Sequence, residues 1–332
     1  MVGYGYGIVR RRKRMGLIEN QKYFFEKYKI DEQDFEKYCL DWSKYIEIYN
    51  EYISEIPNLE TVATFISEIL RKNPEIHTVK SRIKYPDHLI EKIIRKTIKG
   101  KKSDSGYEIN VSNYKTEITD LIGIRALHLY KYQAADIDKT IRQNWNLHEK
   151  ATIYHRLGDM TSEQHIEEEK FQFLVHDAGY RSWHYVIKSQ MTKVNYLAEI
   201  QVRTIFEEGW SEIDHQLRYP YDLDNEILNE QLLILNRLSG GADELVNSIL
   251  HTKMTIYQQN EEKEFRDEKI QELLDEISSL SEDGKLTDED RKSLEEKIKQ
   301  LEVKKIKVNY SNLFNNRSVE YHFKRRIFPS DF

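Results

Sequence analysis

The stretch "AEIQVRTIFEEGWSEIDHQLRYP" (residues 198–220) changes its hydrophobic period after Thr204. Before that residue, polar and apolar side chains alternate, which predicts a β-strand with Glu199, Gln201 and Arg203 on one face. After it, apolar residues recur at helical spacing, with acidic residues predicted on the opposite side. The apolar positions are Phe206, Trp210, Ile213 and Leu217. Because charged groups are costly to bury without a partner, we expect the polar face of the strand to meet a ligand or opposite charges.

Strands and helices alternate around this stretch. Residues 118–130, "ITDLIGIRALHLY", form an almost continuously apolar strand that carries Asp120 and Arg125. Such interleaving predicts an α/β or α+β sheet domain over residues 76–220. The other elements predicted in this domain are a helix from Pro86-Asp87, a helix over 135–148, and strands over 150–157, 171–176, 179–189 and 195–204.

Helical patterns flank the sheet domain on both sides. Aromatic residues at three- and four-residue spacing predict helices over 17–75, and we interpret this stripe as core or interdomain packing. After Pro220 an amphipathic helical pair is predicted, with a break at Gly240-Gly241. The predicted organisation is an N-terminal helical region (1–75), the sheet domain (76–220), a helical extension (221–260), and a charged helical hairpin with a tail (261–332).

The hairpin is predicted from its turn. The segment "SEDGKLTDED" offers Gly284 for a chain reversal, and Thr287 with Asp290 three residues later is close to a capping box. These features favour two charged helical arms of coiled-coil character.

Composition excludes several classes of protein. Of 332 residues, 33% are charged and 39% hydrophobic, and the net charge is −6, so contact with nucleic acid would need a local basic patch. Two candidates are "RRRKR" (10–14) and "KGKK" (99–102). The single cysteine, Cys39, excludes an intrachain disulfide and a cysteine-rich zinc site. We expect a cytoplasmic protein, because we find neither a signal-peptide pattern nor an apolar run long enough to cross a membrane.

A basic cluster lies in "SRIKYPDHLIEKIIR" (81–95). Arg82 and Lys84 lie on one side of an extended segment, and Lys92 and Arg95 are neighbours on the following helix. Converging cations of this kind hold a polyphosphate. The alternative is a solvated basic face.

Two acids occur in otherwise apolar or strand-like surroundings. Asp120 precedes Arg125 in the apolar strand, and a structural salt bridge between them is one interpretation. With Glu199 added, two carboxylates at strand ends can hold one Mg²⁺ whose other ligands are waters and phosphate oxygens.

A third cluster is "GYRSWHYV" (179–186), in which Tyr180, Ser182 and His184 alternate onto one face. Tyr180 after a glycine offers its ring for stacking on a base. The alternative is an ordinary core tyrosine, since the chain has 22 tyrosines. The motifs of a P-loop, a dinucleotide-binding fold and an H-E-x-x-H zinc protease are missing from the sequence.

Taken in order, "SRIK", "ITDLIGIR", "GYRSWH" and "EIQVRT" resemble the motifs of the RelA/SpoT synthetase family, over about residues 76–220. Enzymes of that family move pyrophosphate from ATP to the 3′-hydroxyl of GDP or GTP and so make the alarmone (p)ppGpp. The resemblance implies an α+β fold: a mixed β-sheet of nucleotidyltransferase-like type, flanked by helices.

The resemblance also implies roles for individual residues. Asp120 and Glu199 would bind Mg²⁺, and Glu199 would act as the base toward the attacking hydroxyl. Residues on the ATP side would be Arg82, Lys84, Lys92, Arg95 and Arg125. Residues on the acceptor side would be Tyr180, which stacks on the base, together with His176, His184, Gln201 and Arg203.

The chain departs from the family pattern in one loop. Members that make (p)ppGpp commonly carry a Lys and an Asn just before the glycine–tyrosine pair, where "HDAGY" has His176 and Ala178. The usual guanine contacts are therefore altered. The hydrolase domain of the bifunctional members and the regulatory domains of the long members have no counterpart in the sequence, which favours a stand-alone synthetase.

Two other functions stay open at this point. Toxic relatives use the same core to place pyrophosphate on the 3′ end of tRNA, and the basic runs would supply phosphate contacts for such a substrate. A non-catalytic nucleotide-sensing scaffold is the third interpretation. The C-terminal helices are a candidate contact for a second copy of the chain or for a protein regulator, and no membrane partner is expected.

Overall fold

The structure is a computed structural model that describes Ile18 and residues 20–157, 169–176, 178–191, 193–218, 225–282 and 287–303. The basic run 10–14, Asp177, the turn at Gly284 and the tail after Val303 lie outside the described residues. Contacts between residues divide the chain into two compact units, Met1–Asp243 and Glu244–Phe332.

A mixed sheet forms the centre of the first unit, and its described strands follow the order β1-β2-β7-β6-β4-β5, with the short β3 paired to β6. The pairs β2–β7 and β4–β5 are parallel, whereas β1–β2, β6–β7, β4–β6 and β3–β6 are antiparallel. The strands are β1 (Thr78–Ile83), β2 (Ile122–His128), β3 (Asn146–Leu147), β4 (Ala151–His155), β5 (Phe171–Val175), β6 (Ser182–Ser189) and β7 (Tyr196–Thr204). The mixed α+β fold expected from the sequence is confirmed.

The alternation read in the sequence determines which face of the sheet is buried. In β2 and β7, every second residue is apolar and at most 1% exposed: Ile122, Ile124, Ala126, Ala198, Ile200 and Val202. Side chains at alternating positions point to opposite faces, so the residues between them share the other face. The apolar face forms part of one continuous hydrophobic core with the helices.

Three N-terminal helices cover part of that core: α1 (Gln21–Tyr28), α2 (Glu32–Lys37) and α3 (Trp42–Arg71). Each begins at a side chain that accepts a hydrogen bond from the first turn, namely Asn20, Asp31 and Asp41. The aromatic stripe is core packing as expected, because Tyr45 and Tyr52 of α3 are at most 3% exposed. Helix α3 contacts β1 and β2.

The helices within the sheet domain begin close to the expected positions. They are α4 (Pro86–Ser103), α5 (Tyr114–Glu117), α6 (Gln133–Asn144) and α7 (Ile205–Arg218). Pro86 starts α4, where its missing N–H costs nothing. Helix α6 ends four residues before the predicted limit, because Asn146 and Leu147 leave the helix to pair with β6. Strand β6 begins three residues late, because Gly179 has a positive φ of 76°.

The prediction of a break at Gly240-Gly241 is wrong. Helix α8 runs from Glu226 to Glu282 without interruption. A glycine pair costs only about 2 kcal/mol of helix propensity relative to alanine, and hydrogen bonds and packing along a long helix outweigh that cost.

The second arm is α9 (Asp288–Val303). Its predicted cap is confirmed, since the Asp290 amide donates to the Thr287 hydroxyl at 3.2 Å and that hydroxyl donates to the Asp290 carboxylate at 2.5 Å. None of the described helices is both long enough and apolar enough to cross a membrane.

Candidate active site

The register of the sheet brings the polar residues of four strands into adjacent rows. Gly123 in β2 lies between Arg82 in β1 and Glu199 in β7. One row further along, Gln201 lies between Arg125 in β2 and His184 in β6. Residues opposite each other in a ladder point to the same face, so these residues share the face that is not packed in the core.

Asp120 is held by two lysines rather than by Arg125. It lies in the turn before β2, and its Oδ2 is 2.7 Å from Lys84 Nζ and 2.9 Å from Lys92 Nζ. Burial opposes ionisation of the carboxyl, but the two ammonium groups outweigh it and lower the pKa of Asp120. Asp120 is therefore a carboxylate, and the Asp120–Arg125 salt bridge considered in the sequence does not form.

The four predicted cations of the 81–95 segment divide into two groups. Lys84 and Lys92 meet at Asp120, and Arg82 crosses the neighbouring Gly123, whose ideal Cβ would lie 3.3 Å from the arginine side chain. Arg95 instead donates to Glu91 Oε1 at 2.9 Å and to the Tyr28 carbonyl at 2.7 Å. The structure thus brings three of these cations toward the polar face of the sheet.

The Glu199 carboxylate is hydrogen-bonded by side chains from β6 and β7. Gln201 Nε2 donates to its Oε2 at 2.8 Å, and His184 Nδ1 lies 3.2 Å from its Oε1. Burial raises the pKa of Glu199, the contact with His184 lowers it, and the net result is a lowered pKa. Glu199 is ionised at neutral pH.

The hydrogen bonds continue from His184 to the predicted stacking residue. Tyr180 Oη lies 2.8 Å from His184 Nε2, and Arg203 donates to the same hydroxyl at 3.3 Å. Burial raises the pKa of Tyr180, so its hydroxyl keeps its proton. Hydrogen bonds therefore link Tyr180 through His184 to Glu199.

The Tyr180 ring lies in an aromatic group. Its centroid is 5.8 Å from Tyr154, 5.5 Å from His176 and 6.5 Å from Trp210. The Arg203 guanidinium carbon lies 5.5 Å from the same centroid. The structure therefore brings all five predicted acceptor-side residues into one group: Tyr180, His176, His184, Gln201 and Arg203.

Acids of α7 complete the polar face of the sheet, whereas the sequence predicted only that they lie opposite the apolar residues of the helix. Glu208 is 4% exposed, forms an ion pair with Arg203 at 2.7 Å and accepts a hydrogen bond from Arg125 at 3.1 Å. Glu212 forms an ion pair with Arg125 at 2.5 Å. Conversely, Ile213 and Leu217 are 44% and 48% exposed. Two guanidinium groups on the sheet need counter-charges, and this need outweighs the apolar periodicity of the helix.

The role of Glu207 as a cap of α7 was not predicted, although the sequence contains a capping-box pattern there. Thr204 and Glu207 form a capping box, in which the Thr204 amide donates to Glu207 Oε2 at 3.1 Å and the Glu207 amide donates to Thr204 Oγ1 at 3.1 Å. The Thr-x-x-Glu spacing at residues 204–207 identifies this start of a helix.

Comparison with known families identifies the domain. Residues 81–224 match the family model described as the region found in RelA / SpoT proteins. Residues 81–224 therefore form a RelA/SpoT region within the chain.

The RelA/SpoT region has a curated relative in Bacillus subtilis (strain 168), the GTP pyrophosphokinase YwaC. The two chains are 27% identical over 192 residues, which are 55% of this chain and 78% of the relative.

Several solved structures are similar to this chain. The small alarmone synthetase 2 from Bacillus subtilis is 22% identical, with a TM-score of 0.40, over 63% of this chain and 99% of that chain. The small alarmone synthetase 1 from Bacillus subtilis bound to its product pppGpp is 19% identical, with a TM-score of 0.37, over 64% of this chain and 97% of that chain. A GTP pyrophosphokinase family protein from Streptococcus pneumoniae is 20% identical, with a TM-score of 0.39, over 62% of this chain and 89% of that chain.

The oxygen atoms available for the expected Mg²⁺ are those of Asp120 and Glu199. Within the described residues, no three histidine, cysteine or acidic side chains form a complete metal cage. Asp120 Oδ1, however, is buried and has no hydrogen-bond partner among the described residues, while Oδ2 carries both lysine contacts. An orphaned carboxylate oxygen near a second carboxylate fits a cation that takes its other ligands from waters and phosphates.

Proposed function

We propose that this chain transfers a pyrophosphate group from ATP to the 3′-hydroxyl of GDP or GTP and so makes (p)ppGpp. The observation that carries the proposal is the pair of ionised carboxylates, Asp120 and Glu199, on a polar sheet face lined by cations within a RelA/SpoT region. The relative named GTP pyrophosphokinase supports the same activity.

The reaction needs a base, a set of cations and accurate positioning. The acceptor's 3′ oxygen forms a bond to the β-phosphorus of ATP, and the bond from that phosphorus to the oxygen bridging it to the α-phosphorus breaks. AMP leaves, and the hydroxyl proton passes to Glu199. Because Glu199 is ionised and held by Gln201 and His184, it accepts that proton in a fixed position.

The ATP side of the site is assigned to the cations near Asp120. They would bind the phosphates and stabilise the charge that shifts toward AMP during transfer. The residues assigned to this role are Arg82, Lys84, Lys92, Arg125 and, at the margin, Arg95. Glu208 and Glu212 would hold the Arg125 guanidinium in place.

The acceptor side is assigned to the aromatic group. Tyr180 would stack on the base, His184 and Gln201 would orient the ribose side through Glu199, and Arg203 and His176 would lie beside the acceptor phosphates. Aromatic stacking contributes roughly 1–3 kcal/mol per base and tolerates many bases, so selectivity would come from the polar neighbours.

Asp120 and Glu199 would hold Mg²⁺. The ion would neutralise and orient the ATP phosphates. Asp120 would contribute through Oδ1, the oxygen that neither lysine contacts.

One experiment separates the candidate functions. The protein is incubated with γ-labelled ATP and Mg²⁺ and with GDP, GTP, ADP or deacylated tRNA in separate reactions, with Glu199→Gln as the control. Labelled GDP or GTP with AMP release supports the proposal. Label on tRNA alone replaces it with the tRNA-modifying function, and no label on any acceptor favours a non-catalytic scaffold.

A further inference from the structure

The buried side-chain amide of Asn236, in α8, forms hydrogen bonds to the turn that carries Tyr180. Asn236 is 1% exposed, its Nδ2 donates to the Gly179 carbonyl at 2.8 Å, and its Oδ1 accepts from Arg181 at 3.2 Å. Arginine has only donors and a carbonyl only accepts, so these two partners fix which way the amide points. The residues before and after Tyr180 are thus held by one side chain.

The turn is shaped to admit this amide. Gly179 is buried and has a positive φ of 76°, a conformation that residues with a Cβ rarely adopt. A Cβ at Gly179 would lie 2.6 Å from Asn236 Oδ1, too close for any side chain. The glycine therefore provides both the turn and the close approach of α8.

The part of α8 that carries Asn236 is itself anchored to the sheet domain. Trp210 Nε1 donates to the Leu232 carbonyl at 2.9 Å, and Thr204 Oγ1 donates to Asp243 Oδ2 at 2.9 Å. One contact lies a turn before Asn236 and the other two turns after it. Asn236 consequently projects from a fixed segment, which lets it restrain the turn rather than follow it.

We propose that Asn236 is a positioning residue of the acceptor site, which holds the Gly179–Arg181 turn so that the Tyr180 ring is presented to the acceptor's base. The inference rests on the proposed function for the role of Tyr180, while the restraint of the turn itself follows from the contacts. Asn236 acts through the backbone on either side of Tyr180 and has no part in binding ATP.

The test uses the full chain and three variants. Asn236→Asp keeps the acceptor for Arg181 but loses the donor to Gly179, and Asn236→Ala loses both. Gly240→Ala is compatible with the helix, and its Cβ would lie 3.1 Å from the Arg181 guanidinium, so it disturbs the same contact without threatening the fold. Gln231→Glu, an amide-to-acid change at an exposed position of the same helix, is the matched control.

Two measurements are made on each variant. Hydrogen exchange of the amides in residues 178–184 reports on the turn, with residues 196–204 of β7 as the internal reference. Steady-state transfer gives KM for the acceptor and, separately, KM for ATP.

We expect faster exchange in 178–184, unchanged exchange in β7, and an acceptor KM raised about tenfold by the Asn236 variants, with KM for ATP unchanged. Gly240→Ala should also speed exchange in 178–184 and raise the acceptor KM, but by smaller factors. Gln231→Glu should change neither the exchange nor the acceptor KM. Unchanged exchange in every folded variant would overturn the restraint, and changed exchange with unaltered acceptor KM would overturn its role in acceptor binding. If the wild type transfers label to no acceptor, the proposed function fails, and hydrogen exchange still decides whether Asn236 holds the turn.

Discussion

Asp120 and Glu199 are the residues on which the proposed chemistry depends. Each stays ionised although it is largely buried, because lysines surround Asp120 while His184 and Gln201 hold Glu199. The charge of both groups is therefore available to the nucleotides rather than being removed by protonation.

We expect Asp120→Asn and Glu199→Gln each to abolish measurable transfer while leaving the fold intact. Loss of one contact made only in the transition state costs about 3 kcal/mol, or on the order of a hundredfold in rate. Labelled-pyrophosphate transfer at saturating Mg²⁺ measures the effect, and circular dichroism checks the fold. Asp136→Asn, which removes an ion pair with Lys139 within α6, is the control. Near-normal turnover of Asp120→Asn would show that the metal assignment is wrong.

The hydroxyl and the ring of Tyr180 can be separated by two substitutions. Tyr180→Ala removes the stacking surface, so we expect a loss of roughly 1–3 kcal/mol in kcat/KM for every acceptor. Tyr180→Phe keeps the ring but removes the hydrogen bond to His184 Nε2, so it should lower kcat more than it raises the acceptor KM. Kinetics with varied acceptor at fixed ATP measure this difference. Equal losses in the two variants would argue against stacking.

Ala178 lies in the loop where the chain departs from the family pattern. An asparagine there would restore a side-chain donor beside the base, so we expect Ala178→Asn to improve kcat/KM for GDP or GTP selectively, by several-fold. Competition between GDP and ADP for labelled ATP measures the selectivity, and Ala178→Ser is the matched small polar control. A neutral result, together with efficient use of GDP by the wild type, would show that the loop is not selective.

At the scale of elements, the junction of β7 and α7 concentrates buried acids. Glu207 caps α7 through Thr204, whose hydroxyl also donates to Asp243 of α8. Burial and the neighbouring Asp243 raise the pKa of Glu207 to about 7, against smaller opposing effects of Lys131 and Arg181. Two carboxyl groups at one threonine resist simultaneous ionisation.

This junction should make stability depend on pH. Between pH 4.5 and about 7 the folded state binds more protons than the unfolded state, so the free energy of unfolding falls as the pH rises through that window. We expect Glu207→Gln to remove this fall in the free energy of unfolding. The variant should be as stable as the wild type below pH 4.5 and more stable by a few kcal/mol at pH 8. Urea unfolding from pH 4 to 8 measures it, with the exposed Glu230→Gln as control. A gain independent of pH would exclude ionisation of Glu207 as the cause.

At the scale of the whole molecule, the described contacts end the first unit at Asp243, within α8. The predicted catalytic and binding residues all precede this point. In the rest of α8, several apolar side chains are strongly exposed, including Leu245, Ile249 and Phe265 at 61%, 59% and 69%. We propose that the C-terminal helices serve assembly or regulation rather than the transfer itself.

Deletion of residues 261–332 tests this division of roles. We expect a folded core with kcat/KM within about threefold of the full chain, because all the residues proposed for catalysis and binding precede the deleted segment. Transfer assays measure the activity, and light scattering compares the assembly state of the two proteins. An insoluble or inactive truncation would show that the tail completes the core.

The sequence by itself determined the elements whose signal is local. The two-residue period of 198–204, Pro86 at the start of α4 and the cap at Thr287 and Asp290 depend only on neighbouring residues, and the structure agrees with each. The sharing of one face by Glu199, Gln201 and Arg203 follows from the same period and is confirmed by their mutual hydrogen bonds. The break at Gly240-Gly241 failed because the continuity of a long helix is cooperative and outweighs a local preference.

Only the tertiary structure decided which charges meet. Asp120 pairs with Lys84 and Lys92 across 36 and 28 positions of the chain, and Glu208 of α7 neutralises Arg125 of β2. The attachment of Asn236 to the Tyr180 turn spans 57 positions. These partners are set by strand order and helix packing, and a side chain's periodicity contains no information about groups that folding brings to it from distant segments. The cost of burying a charge predicted that partners exist, and the fold determined which ones they are.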